Sequence, residues 1–216
     1  MAKRRRVNNL LGLVVLAFLM TGRPIHPYEL ATMLRRTGKE QDVKIKWGSF
    51  YTVIQNLEKH QLIEAVGRDR DGQRPERTLY TITDAGRAEA KEWLAELVAV
   101  PETEFPHFGA ALSVLGVLSP DEVTSLLETR VKALEEGIAR DRTQLTATST
   151  TVPRIFLIEA EYALALREAE LAWVRGLLGE ILDGTLPGLP QWHEFHRTGE
   201  LPPDLADLFY EGGPTP

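Results

Sequence analysis

The 216-residue chain contains no cysteine. That single absence excludes disulfides, thiolate metal sites and a cysteine nucleophile, and it fits a cytoplasmic protein in a reducing compartment. The loops that cradle phosphates or expose a nucleophilic serine are missing too: there is no Walker-type loop, no G-x-G-x-x-G and no G-x-S-x-G. His193 and His196 stand three apart around Glu194, but no third ligand is near them, so no metal site is expected. Without a clustered set of titratable groups the chain does not read as an enzyme, and no cofactor is implied. Long apolar runs are also lacking. The stretch Leu10 to Met20 is too short for a bilayer crossing, which takes roughly 20 residues. Lys3-Arg4-Arg5-Arg6 ahead of it imitates a secretory signal, yet Thr21-Gly22-Arg23-Pro24 follows where a small-x-small cleavage site would stand. A buried first helix behind a basic arm over residues 1–8 is the expectation, with no membrane partner.

What is present is unevenly spread. The net charge is −6, but residues 1–98 hold 17 Lys/Arg against 12 Asp/Glu, while residues 99–216 hold 8 against 19. A basic module that meets a polyanion, joined to an acidic module with another task, accounts for this segregation.

Within the basic half, periodicity predicts helices over about Asn9 to Met20 and Pro27 to Arg36. The second has an inner face of Tyr28, Leu30, Ala31 and Leu34. A third follows from Ser49 to His60, where Phe50, Val53, Ile54 and Leu57 fall at i, i+3, i+4 and i+7. Its other face carries Ser49, Thr52 and Asn56, with Gln55 beside them. The pattern then changes to period two. Glu64 to Arg68 and Thr78 to Ile82 read as strands, with a turn at Asp71-Gly72 and arginines at 68, 70, 74 and 77 around the tip. Thr83 caps a further helix running to about Val98.

This order is that of a winged helix-turn-helix with a small β-hairpin wing, over residues 9–98. A helix fits the major groove and presents its N-terminal side chains to base edges. Ser49, Thr52, Gln55 and Asn56 have suitable reach, and Gln or Asn addresses adenine with two bonds. Tyr51 is placed to donate to a phosphate. Lys46, Arg68, Arg70, Arg74 and Arg77 would neutralise the backbone, with Arg70 or Arg74 entering a minor groove. Each feature alone is ordinary surface. Their order on the basic half argues for double-stranded DNA, against the alternative of a winged helix acting through protein–protein contacts.

The acidic half, residues 106–182, reads as a helical domain. One helix covers roughly His107 to Leu118. A second begins with the capping-box pattern Ser119-Pro120-Asp121-Glu122 and continues to about Ala147. A long third starts at Pro153 and ends near Leu182. Leu157, Leu164, Leu171 and Leu178 repeat every seven residues along it. Ile155, Ile158, Tyr162, Ala165, Ala169 and Ala172 form a second stripe about 200° away at 100° per residue. One stripe would bury within the subunit and the other pack on a second copy, making a homodimer. A wholly intramolecular bundle is the alternative. Residues 183–216, rich in proline, are expected to form an irregular tail.

The segments His26-Pro27-Tyr28-Glu29-Leu30, Gly48-Ser49-Phe50-Tyr51-Thr52-Val53-Ile54-Gln55-Asn56-Leu57-Glu58-Lys59, Arg74-Pro75-Glu76-Arg77 and Tyr80-Thr81-Ile82-Thr83-Asp84-Ala85-Gly86 resemble the PadR family of bacterial regulators. The resemblance covers roughly residues 9–98, and the layout of the second half is similar to members with an extended helical dimerisation domain. It implies a dimeric repressor on a palindromic operator, released in some members by phenolic or multidrug-like ligands. His26-Pro27 departs from the family pattern, which usually has a small residue and glycine before the tyrosine. For an effector, the aromatics Trp93, Phe105, Phe108 and Trp173 near the junction of the two halves are the candidate pocket, or else they fill the core.

Overall fold

The computed structural model describes residues 5–37, 47–69 and 77–200. The chain divides into two compact units at Glu104/Phe105. It is mainly helical, with one antiparallel hairpin.

In the first unit, α1 (Leu10–Leu19), α2 (Pro27–Arg36) and α3 (Trp47–Lys59) precede strands β1 (Ile63–Asp69) and β2 (Arg77–Ile82), and α4 (Asp84–Ala99) closes the unit. α1 is apolar on nearly every side because it is central, with Leu11, Val15, Leu16 and Leu19 buried. Asn9 caps it, its side chain accepting from the Leu11 N–H at 3.0 Å. The His26-Pro27 departure resolves locally. The His26 Nδ1 accepts from the Tyr28 N–H at 3.1 Å, and Pro27 occupies the first turn where no intrahelical donor is needed. α2 buries Leu30, Ala31 and Leu34 as expected, but Tyr28 points outward and is 64% exposed.

α3 buries Phe50, Val53, Ile54 and Leu57, the four positions of its apolar period. Behind it, Ile63 pairs with Ile82 and Ala65 with Tyr80; the register then shifts, so that Val66 is an extra residue before Gly67 meets Leu79. Ile25 adds a one-residue third strand, exchanging backbone bonds of 2.9 and 3.0 Å with Tyr80. The Tyr80 hydroxyl donates to Glu58 on α3 at 3.2 Å; burial, reinforced by that carboxylate, raises its pKa.

Gly86 is the tightest joint. A Cβ there would lie 1.9 Å from the Leu62 carbonyl oxygen, so only glycine lets α4 approach the entry to the hairpin. Thr83, its N-cap, accepts from the Gly86 N–H at 3.0 Å and donates to the Gln61 carbonyl at 2.7 Å. These contacts give Thr83 and Gly86 of the Thr-Asp-Ala-Gly segment their structural roles. On α4 itself Ala90 and Trp93 are buried whereas Leu94 and Leu97 are exposed.

The expected basic arm over residues 1–8 is corrected at its described end. Val7 belongs to the hydrophobic core, and the Arg5 side chain is only 4% exposed, held by Glu89 and Glu96. An arginine with two carboxylates and a ring within reach docks rather than extending into solvent.

The second unit contains α5 (His107–Leu112), α6 (Pro120–Ser149), α7 (Ile158–Leu182) and α8 (Leu189–Thr198). The single helix predicted for His107 to Leu118 is broken. α5 ends at Ser113, whose hydroxyl turns back to the Ala110 carbonyl at 2.7 Å, and a short 3-10 turn covers Leu115–Val117. α6 begins on the capping box: Glu122 accepts from the Ser119 N–H at 2.8 Å while Ser119 Oγ accepts from the Glu122 N–H at 3.3 Å. α6 and α7 run antiparallel, shown by ion pairs Arg130–Glu170 and Arg167–Asp141. The long helix does not start at Pro153. Arg154–Phe156 forms a 3-10 turn, and Leu157 at φ −124° and ψ −2° interrupts helical geometry before Ile158. Ile155 therefore precedes α7 instead of lying on it.

The tail is not irregular throughout. α8 stands within it, its Trp192 Nε1–H donating to the Leu118 carbonyl at 2.9 Å and Leu189 buried beside Val123 and Val174. The prolines misled because Pro190 sits in the first turn, where helices accept it.

Candidate nucleic-acid interface

The face of α3 opposite its buried side is polar and accessible. Thr52, Gln55 and Asn56 are exposed and Ser49 is half-buried. Tyr51 is exposed and edge-on to Phe50, ring centroids 5.7 Å apart. No acidic residue stands in the first turn of this helix. Its positive dipole end is therefore free of intrahelical carboxylates, which suits an approach to phosphate. The four predicted base-reading residues thus share one helix and one outward arc, on a rigid support of four buried apolar side chains.

The wing is only partly described. The backbone register sets Arg68 opposite Thr78 and Arg77 opposite Asp69, at the far end of the hairpin from its Ile63–Ile82 base. Lys46, Arg70, Arg74 and the Asp71-Gly72 turn lie outside the described residues, as do the side chains of Arg68 and Arg77.

One pairing at the N-terminal end of α3 escaped the sequence reading. Arg35, in the last turn of α2, places its guanidinium carbon 3.9 Å from the centroid of the Trp47 ring. Trp47 opens α3 and in turn meets Phe50, centroids 5.8 Å apart. Their separation in the chain hides the pair, and no periodicity signals a contact across a connecting segment.

In the second unit the two predicted stripes part company. Leu157 and Leu171 are buried with Leu164 and Leu178 half-buried, whereas Ile155, Ile158, Tyr162, Ala165, Ala169 and Ala172 are all exposed. A shallow groove of about 420 Å³ between α6 and α7 has Ile138 and Leu171 in its floor, with the Glu135–Arg175 and Arg142–Glu168 ion pairs beside it.

The aromatics proposed for an effector pocket fall into separate surroundings. Trp93 fills the core of the first unit under Arg5. Phe108 and Trp173 meet in the second, centroids 6.2 Å apart and nearly perpendicular, with the Arg130 guanidinium 3.6 Å from the Phe108 centroid. Phe105 is 86% exposed. His196 contacts the Gly116 carbonyl and Glu194 pairs with Arg197, and among the described residues no three metal-ligating side chains converge. No described helix is long and apolar enough to cross a membrane.

A core to which α1, α2, α3 and α4 all contribute, a hairpin that follows α3 and a polar outward arc on that helix define a winged helix-turn-helix domain. Residues 15–92 match the model of the transcriptional regulator PadR-like family. Over that segment the chain is similar to the PadR-like transcriptional regulators, the family its sequence motifs resemble. No curated protein matches the chain by sequence. Among solved structures it is similar to Bacillus subtilis PadR in complex with operator DNA, at TM-score 0.64 and 19% identity, covering 80% of this chain and 99% of that one. The same Bacillus protein in complex with p-coumaric acid gives 0.63 and 18%, covering 80% and 98%. The Vibrio cholerae virulence activator AphA gives 0.61 and 20%, covering 80% and 98%. At these identities the likeness establishes a shared fold.

Proposed function

We propose that this chain is a homodimeric transcriptional repressor that places α3 of each copy in the major groove of a palindromic operator. Ser49, Thr52, Gln55 and Asn56 read base edges there. Tyr51, Lys46 and the wing arginines Arg68, Arg70, Arg74 and Arg77 hold the sugar-phosphate backbone. The outward polar arc of α3, carried on a PadR-like domain, is the observation that supports this most directly. A related fold has been captured on operator DNA, which favours DNA over a protein partner.

Reading two half-sites requires two winged helices at a fixed separation. The exposed stripe of α7 is the seam for the second copy: its small residues allow close helix approach, and its apolar character gives a reason to leave water. For release we propose a flat apolar or phenolic effector bound against Phe108 and Trp173, with Phe105 close in sequence; the p-coumaric acid complex of a similar structure supports that class. Trp93 then serves as core support.

The test is selection of duplexes from a randomised pool by the full-length protein, followed by footprinting and transcription in vitro from a promoter carrying the selected site. A two-fold symmetric site, protected on both halves and silenced by the protein, is the expected result. Enrichment of no sequence, or transcription that rises on binding, would overturn the reading, the latter in its sign alone.

A further inference from the structure

Helix α3 does not stand alone at its N-terminal end. Its first residue, Trp47, is half-buried between two neighbours: Phe50, one turn further on and fully buried, and the guanidinium of Arg35 from the last turn of α2. Arg35 and Trp47 stand twelve positions apart in the chain, one in the last turn of α2 and the other the first residue of α3. The Arg35–Trp47 stack ties the two ends side chain to side chain. A guanidinium lying 3.9 Å from an indole centroid is within the range of a cation–π contact, and its planar fork stacks in a way that an ammonium does not.

The geometry points to Arg35 as a positioning residue for base reading, a role that rests on the DNA-binding reading above. Arg35 acts through Trp47 on the rotation of α3 about its own axis. Ser49 and Thr52 lie two and five residues beyond Trp47, so a rolled Trp47 carries both away from the base edges they address. Phosphate contacts made elsewhere tolerate such a roll better, because they carry no register of base edges. Arg35 therefore contributes to discrimination between sequences more than to attraction for DNA.

The probes are a duplex selected by the wild-type full-length chain and a scrambled duplex of the same length, each measured over a salt series with Arg35→Ala, Trp47→Leu and the double variant. Circular dichroism melts establish that each variant is folded, and Arg35→Met serves as a second variant that keeps the packing stem. The expected result is a loss of about three- to tenfold on the selected duplex and little on the scrambled one. The salt slope stays unchanged, and the Arg35 effect is absent once Trp47 is gone. An equal loss on both duplexes with a slope lower by about one would make Arg35 a phosphate contact and overturn the inference. Additive effects of the two substitutions, or wild-type discrimination in Arg35→Ala, would overturn it as well. If the wild-type chain itself selects no duplex, the DNA-binding reading falls and this inference with it. Any failure confined to the variants falls on Arg35 alone.

Discussion

Arg5 lies over Trp93, its guanidinium carbon 5.3 Å from the ring centroid, while its two terminal nitrogens reach Glu89 and Glu96 at 2.5 Å each. Glu89, Trp93 and Glu96 recur at i, i+4 and i+7 on one face of α4, so a single cation serves three groups. Burial of a charge is tolerated only when it is paired, and here the pairing is double. Arg5→Ala is expected to lower stability by about 1–3 kcal/mol, with Arg5→Met recovering part through packing on the indole. A chemical-denaturation series checks this, and a wild-type midpoint in Arg5→Ala would show the contact to be idle.

Gly86 gives the sharpest structural prediction. Gly86→Ala places a methyl group 1.9 Å from a backbone oxygen that cannot step aside without moving the hairpin. A loss of about 3 kcal/mol or more follows. Gly67, which has open space, is the control: Gly67→Ala should leave the melting curve nearly unchanged.

Base reading and backbone attraction separate on different variants. Gln55→Ala should cost about 1–3 kcal/mol on the selected site and relax preference there. Arg70→Ala with Arg74→Ala should weaken every duplex and flatten the salt slope by about one per lost contact. Equal effects of both changes on all sequences would contradict the division of labour.

Charges placed on the exposed stripe of α7 should split the proposed dimer without unfolding the subunit. Ala165→Glu with Ala169→Glu changes only exposed positions, so helix content should hold. Sedimentation velocity should then report a monomer where a dimer is expected of the wild type, together with much weaker operator binding. A monomeric wild type at micromolar concentration would remove the seam altogether.

The start of α6 has a pH signature. The Ser119 backbone N–H and then its hydroxyl hold the Glu122 carboxyl below its ordinary value. A carboxylate with a depressed folded pKa stabilises fully above its unfolded value, and that contribution is lost as pH falls through the folded one. The difference in melting temperature between wild type and Ser119→Ala should therefore be full at neutral pH and shrink in acid below the ordinary glutamate range. A difference that is constant down the acid series would show that the Ser119 hydroxyl takes no part in holding the Glu122 carboxylate.

Period and punctuation carried much of the architecture. Phe50, Val53, Ile54 and Leu57 announced one helix face, and Ser119-Pro120-Asp121-Glu122 announced another helix's start, because such patterns act over a few residues and need no knowledge of the rest of the chain. The outward arc of Thr52, Gln55 and Asn56 was legible for the same reason: burying one side of a helix decides the other. Contacts between distant segments left no such trace. That Arg5 folds back on Glu89 and Glu96, that Arg35 meets Trp47, that Pro190 opens a helix docked through Trp192, and that Tyr28 faces outward were decided only when the elements packed. Only then do shape and partner availability choose among several positions that local sequence leaves open.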